Sequence, residues 1–412
     1  MRRNETAGSR SESVRQANLS AILRSLHLGG AATRSDLVAS SGLTRSAVGA
    51  LVGELTEMGF VHEERSASDG SPGRPSPIVM PTSDHVTIAM EVLVDSLAVA
   101  AISLGGHVLD HRRVDRTRQA RPVDDTVRNL VDLTSKMLDE LPTTVVVHGV
   151  GVAVAGVVRR SDKTVVVAPN IGWNDVPLGD LIRLALPIDL PVVIANDGDF
   201  GVLAEVRRGV ATGMHDVVYI SGEVGVGAGV IADGRPLGGA AGFAGEVGHI
   251  PVNPGGLACR CGSSGCWETE VGEEALLRRV GRAAGGGRAV VDDVLASAAA
   301  GDADVLAAMD AHGRWLGFGL AGIINTFDPD VVVLGGLFAR LFPYVAAAMS
   351  SELDRRVFDV VRQQVGVLPS GLGLDGPLLG AAEWAWEQVL ADPAGAEPPL
   401  PWCARTLIVG EV

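Results

Sequence analysis

The amino-acid sequence predicts a small, mainly helical N-terminal unit followed by a larger α/β domain made of two similar halves. Apolar residues recur at helical spacing through residues 14–55. Strands alternate with helices from residue 86 onward, and a hairpin-led strand pattern that starts there returns near residue 217. A chain of 412 residues is too long for one ordinary core, so two or three domains are expected.

Three helices and a strand are predicted in the N-terminal unit from apolar spacing, capping residues and glycines. They are a helix over Val14–Leu28, a helix capped by Thr33, a helix capped by Thr44 and ended by Gly59, and a strand over Phe60–Glu63. A tight turn at Gly42 joins the second helix to the third, which is the layout of a helix-turn-helix. The strand and the loop that follows it would then form a wing.

A helix-turn-helix reads DNA by placing the start of its second helix against base edges in the major groove. Here those residues are Thr44, Arg45 and Ser46, and the Arg45 guanidinium suits guanine or a phosphate. Arg74 lies in the Gly/Pro/Ser-rich loop Ser66–Pro77 and suits a narrow, A·T-rich minor groove. Two alternatives remain: a helical bundle that contacts protein, and a loop that is only a linker.

The α/β domain is predicted from short apolar runs separated by turns and amphipathic segments. The predicted strands are Val86–Val94, Leu97–Leu104, one from Val108 onward, Val145–Val154, Val165–Ala168, Pro191–Ala195, Val217–Ile220, Ala228–Ala232 and Val331–Leu334, with helices over Asp124–Glu140 and Leu316–Asn325. The repeated pattern indicates an internal duplication, with a cleft between two lobes.

Composition limits the class of protein. Apolar residues make up 47% of the chain and the net charge is −15, yet residues 1–80 are nearly neutral. This distribution fits a localised DNA contact on an acidic body. The longest apolar stretch, Val145–Val158, is too broken for a membrane span, and the N-terminus lacks the apolar core of a signal peptide. We therefore expect a cytoplasmic protein that does not contact a membrane.

Three of the four cysteines cluster within eight residues, which is typical of a metal site rather than a disulfide framework. Cys259, Cys261 and Cys266, with His249, supply the Cys₃His set of a closed tetrahedral zinc site. With no open position, such a zinc would brace a loop rather than activate water. Buried free thiols are the alternative. Cys403 stands apart as an isolated thiol.

The segment Gly245–His249, the Cys-x-Cys-Gly-x-x-Gly-Cys run and Glu268 together resemble the signature of the ROK family (repressors, open reading frames and kinases). Further matches in family order are Ala168–Asn170 with Trp173, Ile194–Asp197, Gly225–Gly229, and Asp328–Val331 continuing to Gly335 and Gly336. The resemblance covers nearly the whole chain except its C-terminal tail.

This resemblance implies an actin-like, two-lobed sugar-kinase fold, a duplicated ribonuclease H-like architecture, behind a winged helix-turn-helix. The implied domains are 1–82 for the DNA-binding unit, 83–210 with about 376–390 for the first lobe, 211–375 for the second lobe with zinc, and 391–412 for a flexible tail. It also implies that Asn170, Asn196, Asp197, Glu246, His249 and Glu268 surround a sugar. The residue matching Asp197 is the general base of the kinases in this family.

The sequence departs from the kinases at the first hairpin. Kinases of the family carry an Asp-x-Gly-Gly-Thr-like phosphate loop there, whereas this chain reads Glu91-Val92-Leu93-Val94-Asp95. Branched side chains replace glycines whose backbone N–H groups approach phosphate, and Asp95 adds negative charge. ATP is therefore not expected to bind, although the second phosphate turn is present as Gly225–Gly229.

Together these features predict a sugar-responsive transcriptional regulator, most simply a repressor, that binds operator DNA and a sugar or sugar phosphate. We expect a homodimer or a dimer of dimers, because helix-turn-helix proteins usually bind two half-sites. The main alternative is an active ATP-dependent sugar kinase with an attached DNA reader. A further alternative is a constitutive DNA-binding protein with a vestigial sugar site.

Overall fold

The structure, a computed structural model, describes residues 5–64, 76–118, 122–285 and 287–395. Within these ranges the helices are α1 (Glu5–Gly29), α2 (Arg34–Ser41), α3 (Arg45–Glu57), α4 (Val123–Glu140), α5 (Leu178–Ala185), α6 (Asp197–Arg208), α7 (Trp267–Val271), α8 (Glu273–Arg279), α9 (Gly287–Ala299), α10 (Ala303–Phe327), α11 (Leu337–Arg356), α12 (Asp359–Arg362) and α13 (Gly376–Ala391). The strands are β1 (Ala32–Thr33), β2 (Val61–Glu64), β3 (Ile78–Pro81), β4 (His85–Val92), β5 (Ser96–Ser103), β6 (Val108–Asp115), β7 (Val146–Val154), β8 (Val157–Arg159), β9 (Thr164–Ala168), β10 (Trp173–Val176), β11 (Val192–Asn196), β12 (Val217–Gly222), β13 (Val226–Ala232), β14 (Arg235–Pro236), β15 (Val331–Gly336) and β16 (Gly366–Pro369).

The N-terminal unit, called the head below, consists of α1–α3 and the antiparallel sheet β1-β3-β2. Thr33 and Thr44 cap α2 and α3 through their side chains, as predicted, and Gly42 ends α2 in the left-handed conformation. Leu23 and Leu26 of α1 pack with Val52 and Leu55 of α3 in a buried core. The sequence analysis missed β3, which pairs with both other strands of the sheet.

The remainder of the fold is organised by two five-stranded sheets with the same plan. The first has the order β6-β5-β4-β7-β11 and the second β14-β13-β12-β15-β16. In each, two antiparallel pairings lead into two parallel ones. The predicted internal repeat is therefore confirmed at the level of sheet topology.

Helices α6 and α13 connect the two lobes and the head. Helix α6 packs against both sheets, and α13 returns from the second lobe to cover β4 and β7 of the first. Trp386, Val389 and Leu390 of α13 also join the apolar core of the head. The head is thus continuous with the first lobe through α13.

One predicted turn differs from the structure, and two predicted segments lie outside the described residues. Residues 226–229 belong to β13 rather than to a phosphate turn, so the second hairpin turn is limited to Glu223–Gly225. Arg74, with most of the predicted wing loop, and Cys403, with residues 396–412 of the tail, lie outside the described residues. None of the described helices combines the length and apolar character needed to cross a lipid bilayer.

Candidate sugar and metal site

A cavity of about 350 Å³ lies between the two lobes. This volume is within the range of small-molecule sites. The six residues that the resemblance assigned to a sugar all line it: Asn170, Asn196, Asp197, Glu246, His249 and Glu268. They come from both lobes, so the fold brings together residues that are almost 100 positions apart in the sequence.

Asn196 and Asp197 sit where β11 runs into α6. The Asn196 side chain caps α6, because its Oδ1 accepts from the Gly198 backbone N–H at 2.8 Å and its Nδ2 donates to the Gly156 carbonyl at 2.9 Å. These bonds fix the first turn of α6 and place the Asp197 carboxylate in the cavity. Burial and the nearby Glu91 carboxylate raise the pKa of Asp197 to about 7.

Glu268 and Asn170 meet the second hairpin turn from opposite sides. Glu268 Oε2 accepts from the Val226 backbone N–H at 3.0 Å. A Cβ atom at Gly225 would lie 2.8 Å from that Glu268 oxygen and 3.3 Å from Asn170 Nδ2. Glycine at this position therefore reflects a close approach between the turn and the two side chains.

Arg260 is a cavity residue that the sequence analysis missed. It lies at the exposed mouth of the cavity, in the cysteine loop of the second lobe. Its guanidinium donates to Asn170 Oδ1 of the first lobe and to Glu274 Oε1 of α8. Because Oδ1 of Asn170 is engaged by Arg260, the amide nitrogen of Asn170 is the group that faces the cavity. No local sequence pattern links residues 90 positions apart.

The four predicted metal ligands converge on one point. The donor atoms of His249, Cys259, Cys261 and Cys266 all lie within 4.8 Å of one another. The Cys261 and Cys266 Sγ atoms are 3.7 Å apart, and Cys259 Sγ is 3.7 Å from His249 Nδ1. With Zn–S bonds of about 2.3 Å, two thiolates on a tetrahedral zinc lie about 3.8 Å apart. The donor set therefore fits a tetrahedral zinc in both chemistry and spacing.

His249 can serve the metal and the cavity at the same time. Its Nδ1 faces the cysteines, while its Nε2 lies 3.8 Å from Glu246 Oε2 on the cavity side. A metal on Nδ1 would leave the hydrogen on Nε2 and hold the ring in that orientation. The imidazole then presents a hydrogen-bond donor next to the Glu246 carboxylate.

The first hairpin turn borders another part of the cavity, and one of its carboxylates forms an ion-pair network. Leu93, Val94 and Asp95 line the cavity there. Asp95 pairs at 3.0 Å with Arg118, which also forms a bidentate pair with Glu273 of the second lobe at 2.6 and 2.7 Å. The two lobes are thus bridged beside the first hairpin turn, the position at which the family resemblance implies a phosphate loop in the kinases.

Behind this bridge lies a second set of charges. Glu91 is fully buried in β4 and accepts from Arg113 at 2.9 Å, and Arg113 also contacts Asp375 at 3.1 Å. Glu223, in the second hairpin turn, has its pKa raised to about 7 by burial, although Arg288 partly opposes this. The site therefore holds more negative charge than its arginines neutralise.

The head presents the predicted DNA-contacting side chains to solvent. Thr44, Arg45 and Ser46 at the start of α3 are all exposed. Thr44 Oγ1 accepts from the Ala47 backbone N–H at 3.2 Å, which orders the first turn. Within the described ranges, no carboxylate forms an ion pair with Arg45.

The fold and this site define a two-lobed, actin-like protein of the sugar-kinase type. Residues 87–388 match the ROK family, and the chain belongs to that family. It is similar to the xylose repressor of Bacillus subtilis (strain 168), with 29% identity over 369 residues that cover 89% of this chain and 94% of that protein.

Two solved structures are similar over long stretches. A ROK family transcriptional regulator, a homologue of the E. coli MLC protein, aligns with a TM-score of 0.73 and 26% identity over 92% of this chain and 97% of its own. A ROK family glucokinase from Streptomyces griseus, solved with glucose and AMPPNP, aligns with a TM-score of 0.64 and 29% identity over 73% of this chain and 98% of its own. The predicted two-lobed fold is confirmed by both.

Proposed function

We propose that this protein is a sugar-responsive, DNA-binding transcriptional repressor of carbohydrate metabolism genes. The observation that carries the proposal is that one chain contains both the head and a sugar-sized cleft lined by carboxylate and amide side chains. The glucokinase leaves about a quarter of this chain unmatched, whereas the regulator covers 92% of it. The family match begins at residue 87, after the head, and the similar Bacillus protein is named a xylose repressor.

We assign the head to operator DNA as a winged helix-turn-helix spanning about residues 1–82. Helices α2 and α3 with the Gly42 turn supply the helix pair, and β2 and β3 flank the wing loop. In this proposal α3 enters the major groove with Thr44, Arg45 and Ser46, while Arg74 of the wing reaches the minor groove. Two half-sites would require a homodimer or a dimer of dimers, acting in the cytoplasm where operator DNA is found.

The cleft would bind its sugar between lobes 83–210 with 376–390 and 211–375. Carboxylates accept pairs of hydroxyl hydrogens, whereas the Asn170 amide and the His249 Nε2–H donate to hydroxyl oxygens. Five carboxylic acids line the cavity against one arginine, Arg260. This charge favours an uncharged sugar over a sugar phosphate, because a phosphate would add two negative charges near Asp197 and Glu246.

Zinc in the Cys₃His cluster would hold the loop that carries Arg260 and orient the His249 ring. With four protein ligands it would supply structural support and no open position for water. Replacing Cys261 with Ser should lower the zinc content of purified protein from about one ion per chain. Metal analysis measures this, with Cys403→Ser as a matched control. A zinc-free wild type would contradict the assignment.

The primary test combines DNA and sugar binding. A DNA duplex is first selected from a random pool with the full-length protein, and its affinity is measured with and without D-xylose or D-glucose. We expect one sugar to weaken binding. We also expect Arg45→Ala to lose about 1–3 kcal/mol on that duplex, whereas the exposed surface variant Arg128→Ala loses none. Failure to select any duplex would remove the DNA assignment, and unchanged affinity with a bound sugar would leave a constitutive DNA-binding protein.

One observation favours an active sugar kinase as the second candidate. Asp197 has a pKa of about 7 and lies in the cavity, which suits a general base. Against this, the first hairpin turn lacks the glycines of a phosphate loop and its Asp95 is paired with Arg118, whereas phosphoryl transfer depends on holding the phosphates. An ADP-release assay with ATP and the same two sugars decides between the kinase and the repressor. Turnover of about 1 s⁻¹ or more, lost in Asp197→Asn, would establish the kinase.

A further inference from the structure

Helix α6 joins the cavity to the head. It begins with Asp197, which lines the cavity, and ends with Arg207 and Arg208, which contact the head and α13. Its 12 residues span about 18 Å at 1.5 Å per residue. The residues between its ends, from Gly198 to Glu205, are buried. The proposed sugar site and the attachment of the head are therefore opposite ends of one buried element.

The far end of α6 forms a cluster of charged side chains, called the joint here, made of His27, Arg207, Arg208 and Glu383. Arg208 Nη1 donates to the Gly105 carbonyl at 3.0 Å, and its Nη2 donates to the His27 carbonyl of α1 at 3.2 Å. Arg208 and Arg207 both pair with Glu383 of α13. His27 and Glu383 are almost completely buried, with 0% and 1% exposure.

Hydrogen bonds determine the protonation of His27 in the joint. The Gly105 backbone N–H donates to His27 Nδ1 at 3.1 Å, so this nitrogen carries no hydrogen. The hydrogen is then on Nε2, which lies 3.1 Å from Glu383 Oε2 and 3.0 Å from Arg208 Nη2. Arg208 Nη2 is itself a donor and cannot accept from this N–H, so Glu383 is the acceptor. His27 is therefore a neutral imidazole that donates to a carboxylate held in place by two arginines. This hydrogen bond connects α1 of the head to Glu383 of α13, which also pairs with Arg207 and Arg208 of α6.

The body of α6 cannot shift without moving its neighbours. A Cβ atom at Gly229 would lie 2.0 Å from the Gly198 carbonyl oxygen, so β13 of the second lobe touches the first turn of α6. A Cβ atom at Gly380 would lie 1.9 Å from the Phe200 carbonyl oxygen, so α13 touches the next turn. Because these backbones are in direct contact, α6 cannot move without displacing β13 and α13, and a close-packed interior transmits such displacements. A change in lobe closure therefore moves both ends of α6 together.

We propose that α6 is the element that couples sugar binding to the head, through the contacts of Arg208 with His27, Gly105 and Glu383. This inference rests on the proposed function. A sugar that contacts Asp197 and draws the lobes together displaces the first turn of α6 against β13. The displacement reaches Arg208, whose planar guanidinium spans two backbone carbonyls and a carboxylate. The orientation of α1, and with it α3, then depends on cleft occupancy.

The test measures a coupling factor, the ratio of dissociation constants for the selected duplex with and without the sugar that binds. For the full-length wild type we expect about tenfold, within the usual range of allosteric coupling. Arg208→Lys keeps the charge but cannot donate as a planar fork, so coupling should fall below about twofold. His27→Gln should do the same. In both variants the separate affinities for duplex and for sugar should stay near the wild-type values.

Ser20→Ala is the matched control, because Ser20 Oγ donates to the Leu390 carbonyl at 2.5 Å and ties the head to α13 without touching α6. Its coupling should equal that of the wild type. Wild-type coupling in both Arg208→Lys and His27→Gln would overturn this inference while leaving the proposed function intact, and so would loss of coupling in Ser20→Ala. A wild type that binds sugar and duplex without coupling would overturn the proposed function and this inference together. If circular dichroism finds Arg208→Lys unfolded, His27→Gln decides.

Discussion

The carboxylates near the two ends of α6 have pKa values that are shifted in opposite directions. At the cavity end, burial and neighbouring carboxylates raise the pKa values of Asp197 and Glu223 to about 7. At the joint, burial alone would raise the pKa of Glu383, but His27, Arg208 and Arg207 more than offset it and lower this pKa to about 2. Two half-buried carboxylates at the cavity end and a buried one at the joint thus shift in opposite directions, because only the joint supplies enough hydrogen-bond donors.

This difference distinguishes carboxylates that are available to a ligand from carboxylates that hold the structure together. A carboxylate with too few partners in the apo protein gains hydrogen bonds when a polyol enters, so its charge is available to a ligand. A carboxylate that already accepts from two arginines and a histidine gains nothing from a ligand and holds three elements together. In the proposed function, the same residue type would therefore bind the sugar at one end of α6, whereas it attaches the head at the other.

The largest expected effect comes from Glu383→Ala. The substitution leaves Arg207 and Arg208 buried without their carboxylate, and removing one partner of a buried ion pair costs about 3–5 kcal/mol. Urea unfolding followed by circular dichroism measures the loss. A loss below about 1 kcal/mol would mean that the arginines find water or new partners, and the joint would not be the saturated cluster described above.

Asp197→Asn tests the cavity end. The substitution should weaken sugar binding by about 1.5–3 kcal/mol, the value of a hydrogen bond to a charged group. The unfolding free energy should not fall at neutral pH, because the raised pKa of Asp197 means that its ionised form is the less favourable one in the folded protein. Because the pKa of Asp197 is about 7 and sugar hydroxyls donate to its ionised form, wild-type affinity should rise between pH 6 and pH 8. Titration calorimetry across that range checks both. Equal pH dependence in the variant would assign the titration to another group.

Much of the fold was predictable because its signals are local. Short apolar runs placed β7 and β11 within one residue of their observed ends, and Thr33 and Thr44 were recognisable caps. The metal cluster was predictable because its cysteines lie close together in the sequence. The remaining sugar-site residues came from family resemblance, and the structure brings all six to one cavity.

The ion pairs that connect the lobes and the head were not predictable. Arg118 and Glu273 are 155 positions apart, and His27 and Glu383 are 356 apart. Such pairs depend on tertiary packing that apolar periodicity does not encode. The sequence analysis therefore identified Asp95 as opposing phosphate, but it could not show that Arg118 uses that carboxylate to bridge the lobes.

The pH dependence of stability should distinguish the two ends by sign. Burial lowers the pKa of His27 in the joint, and it lowers the pKa values of His148 and His312, which lie outside the joint, to about 3. The stability that these neutral imidazoles contribute is lost as the pH falls below about 6.5. Asp197 and Glu223 have raised pKa values, so their contribution grows as the pH falls from about 7 to about 4.

The double variant Asp197→Asn, Glu223→Gln removes the contribution of the two cavity carboxylates and leaves that of the histidines. Its unfolding free energy should therefore fall more steeply with acid than that of the wild type, by about 1 kcal/mol per pH unit for each removed carboxylate. Urea unfolding at pH 4.5, 5.5 and 6.5 measures the two slopes. Parallel slopes would mean that the cavity carboxylates have ordinary pKa values in the folded protein.

The smallest effect is expected for Glu387→Ala, one helical turn from Glu383 on α13. Glu387 accepts from Arg24 of the head at 2.8 and 2.9 Å and also pairs with Arg207, so by bond count it resembles Glu383. Its side chain is 33% exposed, however, against 1% for Glu383. Water can solvate the arginines when Glu387 is removed, so the loss in unfolding free energy should stay below about 1 kcal/mol.

Salt should affect the unfolding free energies of Glu387→Ala and Glu383→Ala differently. At about 1 M salt the Debye length is about 3 Å, so the difference between Glu387→Ala and the wild type should shrink towards zero. The loss in Glu383→Ala should persist, because salt does not penetrate a buried cluster. Urea unfolding at low and high sodium chloride measures both variants. Equal losses at the two positions, or equal screening by salt, would mean that burial does not set the strength of the joint. The contrast between the two ends of α6 would then have to be explained by the number of partners alone.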